Sequence, residues 1–489
     1  MGERTLVNPS QEDAFVRGAS EVVGGPLGEH ATQGGPNRIW TPARIIVALA
    51  ILVFGLHWLQ KSPCQDGAWD DYEQYSRFCY TDIVALYYAE RLDEGAVPYF
   101  DWNVEYPVLT GVFMGALGLP VHDFGEEIDG FNEVQAFYNL NALVLSMFGV
   151  AAIAAVLALR RRRPWDAAMF ALAPALLVTA TVNWDLLAVG LTMFFIYFWA
   201  QRRPVLAGMM LGLAVAAKFY PLFLAGPLLV LALRTWRWRA VGATVGIGAA
   251  TWLAVNLPVM IWAHEGWLEF WSRSTHRAVD WGTFWYIGRH LPISPSTGGG
   301  IEPFISLSAN IPLLNLVTYV LFGLGCLGIL IVGLRAPQRP RLAQLCFLVV
   351  AAFLLTSKVW SQQFVLWVIP LAVLARPRWG AFLAWQAAEM AYFFAFYAKM
   401  LDISGISTIP EGTFVLAAFL RWVTLAVLVG YVVRDIMRPE LDVVRQTYSD
   451  DPEGGAVAGA GDDGVLRLRE WWAAGQARAH ALWSRLRPT

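Results

Sequence analysis

The sequence predicts an all-α, polytopic membrane protein, and three observations predict it. Of 489 residues, 57% are hydrophobic and only 15% charged, where soluble domains carry about 25% charged residues. Apolar segments recur along most of the chain. Between them lie short joins with arginine clusters at Arg160 to Arg163, Arg202 and Arg203, Arg234 to Arg239, Arg335 to Arg341, Arg376 and Arg378, and Arg434 to Arg438. The opposing joins, around Asn183, Lys218, Lys358 and Lys399, carry one basic residue each at most. The two sets alternate without a break. Cytoplasmic joins are enriched in Lys and Arg, so the arginine joins are expected inside. The near-zero net charge gives no reason to expect a nucleic-acid partner.

Taken in order, residues 1–38 are polar and Gly-rich, without the apolar core and cleavage site of a signal peptide. They read as a disordered cytoplasmic tail. Residues 39–436 form the transmembrane domain, with about 12 spans and both termini cytoplasmic. Residues 106–120 are apolar but only 15 long, short of the ~20 a span needs. Counting them as a span would put Arg160 to Arg163 outside. They are therefore assigned to the first external loop as a juxtamembrane or re-entrant helix, and the second span starts near residue 133.

The segments 166–181, 185–200, 204–217 and 219–233 are also short. They are expected to be tilted, or buried against neighbours around a cavity. Two external loops are large, 61–132 and 263–304. Residues 437–464 read as a polar linker, and 465–489 as an amphipathic helix lying on lipid. In that helix Leu468, Trp471, Trp472, Ala479, Leu482, Trp483 and Leu486 recur at helical spacing. Four cysteines are too few for a disulfide scaffold, but Cys64 and Cys79 share the first loop and could pair in an oxidising compartment.

The polar residues that could carry chemistry fall on the external side. In CYTDIVALYYAERL, Asp82 stands near the start of a helix whose Ile83, Leu86, Tyr87 and Leu92 form an apolar face. A carboxylate there either caps the helix, a task Thr81 could do equally well, or takes a proton from a hydroxyl. Glu105 precedes Tyr106 and Pro107 at a second helix start, as a cap or an acceptor-binding group. Trp102 and Tyr106 offer faces for a sugar ring, or an interfacial aromatic belt.

Lys218 and Lys358 end short spans on the external side. There they either snorkel or, with His276 and Arg277, hold a departing phosphate. Asp185 and Gln362 are candidate sugar-binding groups. Glu389 and Arg421 lie at equal depth in neighbouring spans, and intramembrane charges find partners, so they are expected to pair. There is no metal constellation and no Gly-rich phosphate loop; neither a metal nor another cofactor is expected, and a nucleotide-sugar donor is disfavoured.

T-D-I followed by L-Y-Y-A-E-R-L, G-A-V-P-Y and E-Y-P-V-L-T-G resembles the first external loop of the C-type, polyprenol-phosphate-sugar-dependent glycosyltransferases. Among these the chain looks most like the bacterial α-(1→2)-mannosyltransferases. N-W-D-L-L-A at 183–188, K-F-Y-P-L at 218–222 and S-K-V-W-S-Q-Q-F at 357–364 resemble them too. Where that family more often has proline before Gln-Tyr, this chain has Ser361, Gln362, Gln363 and Phe364. The resemblance implies a multi-pass cell-membrane enzyme with an external active site and Asp82 as general base. It would move a hexose, mannose first, from a polyprenyl phosphate to an envelope glycolipid or glycan, with inversion. An arabinofuranosyltransferase of the same fold and a lipid or sugar-lipid transporter are the alternatives.

Overall fold

The computed structural model describes residues 6–24, 39–291 and 299–467. All regular secondary structure among them is helical. Among the described residues, six helices are long and apolar enough to cross a membrane: Pro42–Cys64, Val108–Glu127, Glu133–Leu159, Trp238–Trp262, Ile311–Arg335 and Glu411–Met437. The expected count was about 12. Other apolar segments form shorter helices, among them Asp185–Ala200, Pro204–Ala217 and Leu342–Thr356, while Trp379–Ile403 has 25 residues.

Short and long helices occupy different places. Every residue of Val365–Ala375 is buried, whereas in Ile311–Arg335 only Leu314, Thr318 and Gly333 are. A helix wrapped in protein need not match the lipid thickness, because neighbours satisfy the backbone at its ends. One that faces lipid must reach across about 20 residues. Pro204–Ala217 approaches Trp238–Trp262 so closely that a Cβ on Gly208 or Gly212 would sit 2.5 Å from Thr244 O and 2.3 Å from Gly248 O, respectively. Small residues one turn apart permit that backbone approach.

The arginine joins gather on one face, where they cap helices. The last carbonyls of a helix have no partner within it. Arg160 donates to Leu374 O, and Arg341 to Leu374 O and Ala375 O, closing the end of Val365–Ala375. Arg234 does the same for Gly333 O and Ala336 O.

Two sequence expectations change here. Residues 437–464 are not a free linker: Asp442 pairs with Arg341 at 2.7 Å, Asp462 with Arg234 at 2.7 Å, and buried Glu453 with Arg160. Composition alone suggested a linker, but these acids match the capping arginines. The tail expected to be disordered is helical at Ala14–Gly24. It is tied down by Glu12 to Arg163 at 2.5 Å and by Trp379 N–H to Asp13 at 3.0 Å. The predicted amphipathic helix lies outside the described residues from Leu468 onward.

The segment read as 106–120 is longer than expected. It runs as Val108–Glu127 with Pro120, where the reading stopped it, inside the helix. Near its start Thr110 donates to Ala217 O at 2.6 Å, and near its end His122 lies 3.3 Å from Glu133. Ala217 ends one helix, next to Lys218, and Glu133 begins another and accepts from Tyr87 of the helix Asp82–Ala89 at 2.7 Å.

Candidate functional site

Asp82 opens the helix Asp82–Ala89, but Thr81 is its cap and accepts from Ile83 N–H at 3.2 Å. Thr81 also donates to Thr181 O, and Asp82 N–H to Val182 O, at 2.7 Å each. The helix start is thereby fixed to the 179–183 turn, and the carboxylate is left for other partners. Its Oδ1 accepts from Tyr80 Oη at 2.8 Å, and its Oδ2 from Asn183 Nδ2 at 2.7 Å and Gln363 Nε2 at 3.4 Å. Asp82 remains partly exposed. The Asp82 charge, with burial, pushes the Tyr80 hydroxyl far above its ordinary range. Tyr80 is therefore a neutral donor to the carboxylate.

Asn183 is the hub. Beyond Asp82 it donates to Tyr106 Oη at 2.6 Å, and its Oδ1 accepts from Lys218 Nζ at 3.0 Å. Lys218 also lies 3.6 Å from Asp185 and 4.7 Å from the centre of the Tyr106 ring. Asp185, fully buried, accepts from Trp367 Nε1 at 2.6 Å. The structure thus brings Asp82, Tyr106, Asp185 and Lys218 into one cluster, joined by Asn183.

The other candidates sit around this cluster. Lys358 donates to Thr275 O at 3.1 Å, and Arg277 is 3.9 Å from Asp280, which accepts from Ser361 at 3.3 Å. Burial, followed by the neighbouring Arg277 charge, pulls the Lys358 ammonium down to about 8. His276 and Arg277 are exposed; the His276 ring lies 2.8 Å from Ser272 O. Gln362 is buried with its Oε1 unpartnered, and the glutamine that reaches Asp82 is Gln363.

Trp102 lies under Arg91, 4.1 Å from the guanidinium to the ring centre. Glu105 lies 3.3 Å from Arg273 and donates its N–H to Glu90. These form a second polar group, connected to the first through the neighbouring Tyr106. Cys64 and Cys79 are disulfide-bonded. Arg421 Nε lies 2.7 Å from Glu389 Oε2; its other nitrogens donate to Trp360 O and Ser361 O at 3.1 Å each. The pair thereby holds the segment that carries Gln363.

Residues 133–358 match the model of glycosyltransferase family 87. No curated protein matches the chain. The match indicates a glycosyltransferase and does not distinguish a mannosyltransferase. It covers Asn183, Asp185, Lys218, His276, Arg277 and Lys358, but not Asp82, Tyr106 or Gln363. Three site residues were missed from sequence: Tyr80, Asn183 and Gln363. Each stands within two residues of a chosen one, and Asn183 opens the N-W-D-L-L-A stretch.

Proposed function

We propose that the chain is an integral membrane glycosyltransferase that takes a hexose, mannose first, from a polyprenyl phosphate and gives it to a hydroxyl of an envelope glycolipid or glycan. The observation that carries this reading is Asp82: a partly exposed carboxylate relieved of capping by Thr81, oriented through both oxygens, and beside a cluster holding Lys218. The family match supports glycosyl transfer, and the apolar helices support a donor borne by lipid.

In this reading the Asp82 carboxylate removes the acceptor hydroxyl proton as the oxygen attacks the anomeric carbon. The bond from that carbon to the phosphate oxygen breaks on the opposite face, so the configuration inverts. Its electron pair leaves with polyprenyl phosphate, which gains one negative charge. Cations aimed at that charge lower the barrier, a role for Lys218, Lys358 and Arg277, with His276 nearby. Tyr106, Asp185, Glu105 and Trp102 orient sugars, and Gln363 rather than Gln362 supports the base. Phosphate leaves well without a proton, so no acid is required.

The site face is external and the arginine face, with both termini, cytoplasmic. Val108–Glu127 lies along the external surface, because both its ends contact residues at that face. The chain then makes about 12 passes, the shorter helices completing the count. The test is purified protein given radiolabelled polyprenyl-phosphate mannose or arabinofuranose with membrane lipids, and the product linkage determined. Mannose transfer with inversion is expected. Arabinose transfer alone would replace the donor, and no transfer from either would remove the reading.

A further inference from the structure

Lys61, the last residue of Pro42–Lys61, is fully buried. Its Nζ has no carboxylate within ion-pair distance among the described residues. It donates to Tyr80 O at 2.9 Å and to Phe78 O at 3.5 Å. A buried ammonium held only by carbonyls is costly unless a nearby negative charge compensates it. Asp82 is the carboxylate that hydrogen bonds connect to it. Tyr80 links the two: its carbonyl accepts from Lys61 while its hydroxyl donates to Asp82 Oδ1 at 2.8 Å.

The surroundings fix this arrangement from several sides. Gln60 donates to Phe78 O at 2.6 Å, and Tyr397 to Tyr80 O at 3.4 Å. One turn before Lys61, His57 has Nδ1 2.7 Å from Leu177 O and Nε2 2.7 Å from Thr181 Oγ1. The same helix end therefore holds both the stretch of loop around Tyr80 and the turn that carries Asn183. The disulfide joins Cys64, just after Lys61, to Cys79, just before Tyr80. The charged and titratable groups around Lys61 and Asp82 are His57, Tyr75, Tyr80, Tyr106, Asp185, Lys218 and Tyr397.

From this geometry we infer that Lys61 is a positioning residue for Asp82, acting through its grip on Tyr80, whose hydroxyl it keeps aimed at the carboxylate. The inference rests on the proposed role of Asp82 as base, but its first test does not. A hydrogen bond to the charged carboxylate favours that form, so Lys61→Met, which frees Tyr80 from its grip, should move the Asp82 titration up by about one pH unit. Infrared difference spectra of the purified protein against pH, with the carboxyl band assigned by its loss in Asp82→Asn, would read this. Lys61→Arg should titrate as the wild type does.

The second readout is the acid limb of kcat/KM for sugar transfer, expected to move up in Lys61→Met and to return in Lys61→Arg. Should Lys61→Met fail to fold, Lys61→Gln, whose shorter amide keeps a donor beside the carbonyls but cannot hold Tyr80 as the lysine does, provides the comparison. An upward shift is again expected, and its absence would overturn the inference. An Asp82 titration identical in wild type and folded Lys61→Met would overturn the inference, as would a shifted titration in Lys61→Arg. A shift in the infrared titration without transfer by the wild type would leave Lys61 in its role and remove the transferase reading instead.

Discussion

At the scale of single residues, the two oxygens of Asp82 have different duties. Oδ1 takes the Tyr80 hydroxyl, and Oδ2 takes the amides of Asn183 and Gln363. Hydrogen bonds to a charged group contribute about 1.5–3 kcal/mol each, enough to hold one rotamer. Lys358 sets the other end of the pH range. Burial and Arg277 bring its ammonium to about 8, so its charge is present below that pH and lost as pH rises through it. If it holds the donor phosphate, kcat/KM should fall above pH 8, and Lys358→Arg should remove that alkaline limb by staying charged. A profile unchanged by Lys358→Arg would take the residue out of the phosphate site. Asp82, Lys218 and Asp185 were legible as candidates because acids and lysines are rare beside apolar segments. Tyr80 and Asn183 were not, because a neutral donor leaves no mark in composition; only the folded contact reveals it.

At the scale of elements, the C-terminal segment matters more than its composition suggests. A polar composition rich in Gly and Asp made residues 437–464 read as a linker, yet its acids close the arginine-capped helix ends. Glu453 sits fully buried between Arg160 and Arg341. Breaking a buried ion pair by removing one partner costs about 3–5 kcal/mol. Glu453→Ala should therefore lower the unfolding temperature in detergent clearly, and an unchanged temperature would show that the arginines need no partner. A chain ending at residue 438 should not accumulate as folded protein, whereas one ending at 467 keeps every contact described.

At the scale of the whole molecule, the central helices are short and the peripheral ones long. Sequence length alone flagged 185–200 and 204–217 as unusual, and burial explains them. The alternation of arginine and lysine joins was legible because it reflects the two faces directly. The path of Val108–Glu127 was only half legible, since a proline inside a helix looks like an end from sequence. Sidedness can be measured by attaching a membrane-impermeant thiol reagent to single cysteines introduced at exposed Ser274 on the site face and Arg202 on the arginine face. In intact cells, Ser274→Cys should react and Arg202→Cys should not. The opposite pattern would invert the topology and place the site on the nucleotide-sugar side.

The most direct test of Asp82 as the base compares sugar transfer by the wild type and Asp82→Asn, alongside donor binding and unfolding temperature. A positioned base contributes roughly 10²–10⁴-fold. The expected result is loss of transfer by at least about 100-fold, with donor binding and stability unchanged. Transfer by Asp82→Asn at close to the wild-type rate would contradict the account.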